Sequence, residues 1–582
     1  MINQTLRKPS TTSATFKILF SAYVGISLAL VFYVPTLVPG AFVASESYVF
    51  GYNNRIGFLL FISLTAIGSL WWRKFNLGSP SVPPAEPVHR TRLWIGMAVA
   101  GALCALIYAF TARLGHFGES AYLINRVEMA SLGFHPYRDF EFAYGASFLY
   151  LPILFSRLLH LSIPNGYYFF WAISVVAGVW MLAEVINRID CPGKHKNSIF
   201  LLLYLFLLPS ILTTGLSYTG MRYLAVPLLA LIVFQVIRDG RLQTQIYGSL
   251  LAPLFTLLLI LISPELGIAF CLGISSYFFL FYLQTPNRLW LVVYGGMLLL
   301  QALVMQAASK FSVLQTLKSF AGGACAFPIV PAPHILILFF SVFVCSCFIA
   351  ESLWKREFRS NSLLVLLVTF PSLVAALGRC DAGHVVSNVM GIYIVCMLRL
   401  SNKAALWKWY RVAFVVVFLV IAPLSMLLVY TGNIAEAIAS RSKSASVPDG
   451  SGDAAILPAH LDGPAQAPFG YFVNHNPIAL QQGYYLGTDD VLNPDAVAFK
   501  IAEIAKNHAS EIVLPKDYSL YCEIHPESSK FLIRILFAYP FNAKAVHTES
   551  IYAPLCQYIW QNYSRKVPPQ DDTFGYSIWT RK

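Results

Sequence analysis

The chain has 582 residues, of which 57% are hydrophobic and only 12% are charged, and its mean hydropathy is +0.62. This composition is far more apolar than that of a water-soluble chain, so it excludes a soluble enzyme. The net charge of +13 divides into +16 for residues 1–430 and −3 for residues 431–582. A basic excess between apolar segments is typical of polytopic membrane proteins, so it does not indicate nucleic-acid binding.

Apolar segments of membrane-spanning length recur through the first 430 residues. The first segment is too long for a signal-peptide core, so we expect it to be retained as a span. The predicted spans lie at about 16–38, 56–72, 93–112, 167–186, 198–216, 221–237, 247–263, 267–283, 289–307, 334–352, 361–377, 385–400 and 409–430. We therefore predict an α-helical polytopic membrane protein with about thirteen transmembrane helices.

The apolar segment 146–161 decides the topology, because it is only 16 residues long and contains Pro152. If it does not span, the loops on one side of the membrane hold 17 Lys/Arg in 76 residues, and those on the other hold 8 in 111. If it spans, the expected bias towards positive cytoplasmic loops is reversed. We therefore expect a juxtamembrane or re-entrant helix here, a cytoplasmic N-terminus and an extracytoplasmic C-terminal part, in a plasma membrane of the bacterial inner-membrane type.

Three parts follow from this layout. Residues 1–92 form a hairpin of two spans and a Pro-rich cytoplasmic linker, residues 93–430 form the membrane core with a large outer loop at 113–166, and residues 431–582 form an extracytoplasmic linker and domain.

In the C-terminal part, the apolar spacing of 495–509 predicts a helix and that of 511–515 a strand, as expected for a small α/β or α+β domain. Cys522 and Cys556 lie in this domain, in a compartment that can oxidise them. The sequence leaves open whether they form a disulfide or remain thiols.

The outer loop concentrates acidic and aromatic residues where lipid headgroups meet water. Glu119 follows the end of a predicted span and precedes an amphipathic helical stretch at 120–132, which would hold its carboxylate near the interface. A carboxylate in this position can serve as a general base for a hydroxyl that attacks a sugar carbon. The alternative is an acid that pairs with a neighbouring basic residue or caps the helix.

This loop resembles that of the GT-C superfamily of integral-membrane glycosyltransferases, which includes the protein O-mannosyltransferases and aminoarabinose transferases. The similarity comprises an acidic residue at Glu119, the helical stretch, the segment Gly133-Phe134-His135-Pro136-Tyr137-Arg138-Asp139-Phe140 and the short helix at 146–161. The family usually has Asp at the first acidic position, often as Asp-Glu, where this chain has Gly118-Glu119. Asp139, beside Arg138, is therefore a competing catalytic candidate, and an acceptor-binding role or a local ion pair are its alternatives.

The resemblance implies a function in the cell envelope. The donor would be a polyprenyl-phosphate-linked hexose or pentose, and transfer would invert the anomeric carbon. The acceptor would be a glycan, lipid or protein at the outer face of the membrane. Two spans before the large loop depart from the usual arrangement, in which the loop follows the first span.

Further charged residues lie at the same predicted face. Arg379, Asp381 and His384 share a seven-residue turn between two apolar spans, where Arg and His could bind a donor phosphate and Asp381 could orient one of them. An Arg–Asp pair that closes the turn is the alternative. Arg222 is a second candidate phosphate ligand, or it reaches to lipid headgroups, and Glu265 is either a site residue or an acid that stabilises a helix N-terminus.

The ten cysteines have no metal-site spacing, so the sequence predicts no metal or redox centre, although it leaves open whether a divalent cation assists. Two other classes of protein remain as alternatives. A transporter or flippase would need charged residues near mid-membrane and repeat symmetry, neither of which is evident. A glycan polymerase or ligase outside GT-C would use outer-loop arginines without an acid at Glu119.

Overall fold

A computed structural model gives the fold. It describes residues 14–72, 87–114, 119–133, 135–137, 142–189, 195–239, 241–284, 288–310, 317–318, 320–424, 427, 470–473, 476–477, 493–506, 508, 511–515, 522, 546–566 and 576–582.

Helices dominate the described part of the membrane region. Their bounds are α1 (Ala14–Tyr33), α2 (Glu46–Val49), α3 (Asn54–Trp72), α4 (Arg90–Leu114), α5 (Glu119–Ser131), α6 (Ser147–Leu158), α7 (Ile163–Arg188), α8 (Lys196–Leu207), α9 (Gly220–Ile237), α10 (Leu242–Ile262), α11 (Pro264–Gln284), α12 (Arg288–Lys310), α13 (Pro333–Lys355), α14 (Asn361–Thr369), α15 (Leu373–Arg379), α16 (Ala382–Ser387), α17 (Met390–Leu400) and α18 (Ala404–Phe414). Short 3-10 segments lie at Val34–Leu37, Leu208–Thr213, Leu216–Tyr218 and Phe370–Ser372, and a π-helical segment continues α18 over Val415–Ile421.

Twelve helical segments in the described residues are long and apolar enough to cross a membrane. They comprise α1, α3, α4, α7 to α13, the segment from α14 to α15, and α18 with its extension. The protein is therefore an α-helical, multi-pass membrane protein, as the sequence predicts. The short segment at 146–161 is the 12-residue helix α6, which packs against α7 and is too short to cross a bilayer by itself.

The predicted span at 385–400 is wrong as a single helix. The chain forms α16 and α17 there, with a turn at Asn388 and Val389 between them. Asp381 accepts a hydrogen bond from the backbone N–H of His384, so α16 begins at a capped N-terminus. Hydropathy shows only that this segment is apolar and buried, and the apolar side chains of α17 are indeed buried in the bundle.

The pair α16–α17 nevertheless runs from one end of the bundle to the other. His384 stacks edge-on against Tyr218, whereas Arg399 lines a cavity with Gln284, at the end of α11, and Lys355, at the end of α13.

The first two spans pack on the outside of the core as a hairpin. Phe61 of α3 stacks on Phe339 of α13 with ring centroids 3.9 Å apart, and Phe32 of α1 stacks on the same ring at 6.0 Å. The side-chain amide of Asn54 donates to the carbonyls of Phe327 and Leu377, at 2.7 and 3.2 Å. The hairpin is thus attached to the core by aromatic packing and by hydrogen bonds from the side chains of Asn54 and Arg55.

The described C-terminal residues form a five-stranded antiparallel sheet with two helices. The strands are β1 (Gly470–Val473), β2 (Asn476–Pro477), β3 (Glu511–Pro515), β4 (Tyr563–Lys566) and β5 (Tyr576–Arg581), in the order β2-β1-β3-β5-β4, and the helices are α19 (Pro494–Lys506) and α20 (Ala553–Asn562). The predicted strand at 511–515 is confirmed, and the predicted helix ends three residues earlier than expected. Cys522 and Cys556 form a disulfide.

Helices α11 and α14 cross closely at Gly273, where a methyl group would overlap the backbone of Leu367 and Val368. We expect Gly273→Ala to destabilise the protein by about 1–3 kcal/mol, because backbone atoms cannot move aside as a flexible side chain can. Gly295→Ala is the matched control, since a methyl group there meets no atom within 4 Å. Tryptophan fluorescence during heating in detergent measures the midpoint of thermal unfolding of each variant. Equal midpoints for the two variants would contradict the close contact of α11 and α14 at Gly273.

Candidate functional site

Glu119 begins α5, and two hydroxyl groups hold its carboxylate. The phenol of Tyr144 donates to Oε1 at 3.0 Å, and the hydroxyl of Ser217 donates to the same oxygen at 2.9 Å. Hydrogen bonds of this kind favour the ionised form of a carboxylate and fix its direction. Glu119 is half-buried, so its acidic group lies at the edge of the apolar bundle rather than in free solvent.

The turn that carries Ser217 is held from α7. The hydroxyl of Tyr167 donates to the carbonyl of Thr214 at 2.8 Å and accepts from the backbone N–H of Leu216 at 3.2 Å. Gly215 allows the close approach to Glu119, because a Cβ at this position would lie 2.5 Å from Glu119 Cγ. The absence of a side chain at Gly215 therefore makes room for the acid.

Arg222 and Glu265 form a buried ion pair beside this turn. The Arg222 guanidinium also donates to the hydroxyl of Ser263 at 3.1 Å, the carbonyl of Ser217 at 2.9 Å and the hydroxyl of Tyr223 at 3.1 Å. Ser263 in turn donates to Glu265 at 2.6 Å. Arg222 begins α9 and Glu265 begins α11, so the pair joins the starts of two helices to the Ser217 turn.

The third group of charged residues lies on the other side of Tyr218. The rings of Tyr218 and His384 meet edge to face at 5.3 Å. Asp381 contacts the imidazole Nδ1 of His384 at 2.7 Å, so it orients the histidine. Arg379 lies over the ring of Phe327 at 5.0 Å and donates to the carbonyl of Cys325 at 3.4 Å. In the described part of the chain its other N–H groups make no hydrogen bond, so Arg379 keeps donors for a ligand.

Electrostatics link these groups outside the spans. Burial and the nearby charge of Glu119 raise the pKa of Tyr144 and of Tyr218 well above the usual phenol value, although Arg222 opposes the first effect and Arg379 the second. Both phenols therefore stay protonated and can donate at neutral pH. Burial opposes ionisation of Asp381, but His384 and Arg379 outweigh it and hold the pKa of that carboxyl below its usual value.

The structure thus brings most of the predicted site residues to one end of the bundle. Glu119 and the pair Arg222–Glu265 share the Ser217 turn, and the next residue of that turn, Tyr218, contacts His384. Glu265 lies in the first turn of α11 as the helix-terminus alternative predicts, yet it also pairs with Arg222. The alternative, an ion pair between Arg379 and Asp381 that closes the turn, is not formed, because Asp381 pairs with His384 instead. Arg138 and Asp139 lie outside the described residues.

Sequence reasoning missed four residues that assemble this site: Tyr144, Ser217, Tyr218 and Tyr223. Three of them lie in LSYTGMRY, a polar and aromatic stretch between two predicted spans. Hydroxyl-bearing residues at a span boundary could have indicated this site, because a hydroxyl group at the edge of an apolar bundle needs a hydrogen-bond partner. The partners of Tyr144, Ser217 and Tyr218 lie far away in sequence, however, so the sequence does not show which residues they contact.

Taken together, the residues offer a carboxylate that accepts two hydrogen bonds, two protonated phenols, an oriented histidine and an arginine with unused donors. This combination can accept a proton at one point and stabilise a negatively charged group at another. Within the described residues, no group of three or more His, Cys, Asp and Glu side chains is arranged to hold a metal ion. Comparisons of the chain with known protein families, curated proteins and solved structures found no match.

Stability at this site should depend on pH through Asp381. We expect Asp381→Asn, which keeps a helix-capping oxygen but loses the charge, to lower stability at pH 7 by about 1 kcal/mol, because the carboxylate is 44% exposed and its attraction to His384 is screened. The pKa of the Asp381 carboxyl is lower in the folded protein than in the unfolded chain, where it is about 3.9, so the carboxylate stabilises the folded protein above that pH. This stabilisation is lost as the pH falls below that value. The difference from wild type should therefore persist from pH 7 to about pH 5 and shrink below pH 4.

Thermal unfolding in detergent across this pH range measures the effect. Asp381→Ala is the comparison variant, since it removes the cap as well as the charge and should remain less stable than Asp381→Asn at every pH. A stability difference between wild type and Asp381→Asn that keeps growing below pH 4, where the Asp381 carboxylate begins to be protonated, would contradict the assignment.

Proposed function

We propose that this protein is a membrane glycosyltransferase of GT-C type, which moves a sugar from a polyprenyl-phosphate donor to an acceptor at the outer face of the membrane. One observation carries the proposal. The Glu119 carboxylate, held by Tyr144 and Ser217, lies at the same end of the bundle as His384 and Arg379, with Tyr218 between the two groups. Glycosyl transfer from a lipid phosphate requires a proton acceptor for the attacking hydroxyl and ligands for the departing phosphate, and these two groups of residues match that requirement.

In this proposal Glu119 is the general base. The carboxylate takes the proton of the acceptor hydroxyl while that oxygen bonds to the anomeric carbon, and the bond from that carbon to the phosphate oxygen breaks. Attack from the face opposite the leaving group inverts the anomeric carbon. The hydrogen bonds from Tyr144 and Ser217 keep Glu119 ionised and aimed before the acceptor arrives. Asp139 stays the competing candidate for this role.

Arg379 and His384 are the proposed ligands of the departing phosphate. Arg379 has N–H groups that the described protein does not use, and Asp381 fixes the imidazole of His384. The hydrogen-bonding groups of Arg222 are occupied by protein partners, so we assign it mainly a positioning role for the Ser217 turn. Direct contact between Arg222 and a donor phosphate stays a prediction.

The proposed orientation puts this site outside the cytoplasm of a bacterial inner membrane. Loop charge assigns the Lys/Arg-rich loops to the other face of the membrane, as expected of cytoplasmic loops. The Cys522–Cys556 disulfide supports an oxidising compartment for the C-terminal domain. That domain reaches the membrane region through the backbone of Val49, which accepts from Val546 and His547, so it could present the acceptor near the site.

The test is sugar transfer by purified protein in lipid, with labelled polyprenyl-phosphate sugars and membrane-extract acceptors. Glu119→Gln should reduce kcat by about 100-fold or more, because the amide cannot take the acceptor proton. Glu184→Gln is the matched control, since Glu184 pairs with Arg188 in a span at the opposite end of the bundle. It should retain wild-type turnover.

The variants separate the alternatives. Transfer that survives in Glu119→Gln but is lost in Asp139→Asn would move the base to Asp139. Arg379→Gln should raise the KM for the donor more than it lowers kcat. Absence of transfer by folded wild-type protein across a broad donor panel would overturn the proposal in favour of a transporter or flippase, and transfer of preassembled glycans without need of Glu119 would favour a polymerase or ligase.

The orientation has its own test. In intact cells, a membrane-impermeant maleimide should label wild-type protein at two further thiols after mild reduction, because reduction frees Cys522 and Cys556. The Cys522→Ser/Cys556→Ser variant is the control and should gain neither label. Labelling of these two thiols only in inside-out vesicles would show that the C-terminal domain faces the cytoplasm.

A further inference from the structure

A second polar cavity lies at the end of the bundle opposite the candidate site. Its volume is about 340 Å³, and it is formed where α11, α13 and α17 end and α14 begins. Charged and amide side chains dominate its lining: Gln284, Glu351, Lys355, Glu357, Arg359 and Arg399. The volume is many times that of a water molecule, so the cavity has room for a phosphate group with its substituents.

Arg399 is the residue in this cavity whose bonding is incomplete. Its guanidinium lies 3.7 Å from the ring centroid of Phe348, which packs one face of the group. Within the described residues its Nε–H is buried and has no hydrogen-bond partner, and no carboxylate pairs with it. The Arg399 side chain nevertheless lines the cavity and makes no hydrogen bond or ion pair within the described residues, and a guanidinium can donate two parallel hydrogen bonds to a phosphate.

The remaining charges leave the cavity positive. Lys355 and Glu351 pair with each other at 2.6 Å, so they largely cancel. The other charged side chains of the lining are Arg399, Arg359 and Glu357, so the formal charges of the lining sum to +1. The C-terminal dipole of α17 favours a positive charge at Arg399, but a dipole does not supply a hydrogen-bond acceptor for Nε.

The cavity also lies at the depth of lipid headgroups. Lys355 is the last residue of α13, and the neighbouring Trp354 is 69% exposed, as expected for an aromatic side chain at the boundary between lipid and water. Phosphates of the bilayer lie at this level and are drawn to basic residues there.

We propose that this cavity binds a phosphate group, with Arg399 as its principal ligand and Arg359 as a second cation. Two sources can supply the group: the headgroup of an anionic membrane lipid, or free phosphate. The inference does not depend on the proposed transferase activity, because the cavity and the candidate site lie at opposite ends of the bundle.

Lipid binding tests the proposal on the full-length protein. Purified protein is titrated with phosphatidylglycerol in a phosphatidylcholine background, and bound lipid is counted by native mass spectrometry. Arg399→Gln should weaken retention of phosphatidylglycerol about tenfold, because it removes the charged donor. The matched control is Arg241→Gln, a side chain 82% exposed in a loop at the same end of the bundle, which should bind as wild type.

A second arm identifies the source of the phosphate. Competition of the bound lipid by inorganic phosphate would show that the phosphate group alone is recognised, and lipid binding without competition would show that the rest of the headgroup contributes. Arg399→Lys keeps the charge that favours the α17 C-terminus but loses the planar fork, so it should also bind lipid more weakly than wild type. If Arg399→Gln does not fold, Arg399→Lys takes its place in the lipid-binding test.

Equal lipid binding by wild type, Arg399→Gln and Arg399→Lys would overturn the proposal. A fall in the unfolding temperature of Arg399→Gln alone, unchanged by added lipid or phosphate, would likewise show that Arg399 only stabilises its own helix.

Discussion

Arg222 enters the apolar bundle at the first turn of α9, and its charge has to be neutralised there. Glu265, Ser263 and the carbonyl of Ser217 meet that need. Because the same guanidinium engages the Ser217 turn and residues 263–265, it fixes the turn between α8 and α9 against the start of α11. Removal of one partner from such a pair leaves an uncompensated charge, so each segment depends on the others.

That turn controls both halves of the site. Ser217 points to Glu119, and the next residue, Tyr218, meets His384. Without a fixed turn, the acid of the outer loop and the histidine of α16 would have no common neighbour. Tyr167 holds the turn from α7, and Gly215 lets the acid approach, so buried polar contacts assemble the described part of the site.

Breaks in otherwise long helices occur where function is proposed. Helix α8 ends in a 3-10 segment before the Ser217 turn, and the chain from α15 to α16 bends around Arg379 and Asp381. Non-helical backbone at membrane depth is tolerated only where protein or a polar cavity satisfies its N–H and C=O groups. At the opposite end, the ends of α11, α13 and α17 leave a second polar cavity, so the two ends of the bundle carry different chemistry.

The sequence by itself determined that this is an α-helical, multi-pass membrane protein, and it predicted that several charged residues share one face. Hydropathy and loop charge depend on local composition, so they predicted the spans, the short helix α6 and the charged turn at 379–384. Hydropathy does not resolve the division of 385–400 into two helices at Asn388 and Val389. Only the tertiary structure decided that Tyr144 and Ser217 hold Glu119, that Glu265 pairs with Arg222, and that Asp381 bonds His384 rather than Arg379. Most of these partners are dozens of residues apart in the sequence. A sequence shows that a buried polar side chain needs a partner, but it does not show which residue that partner is.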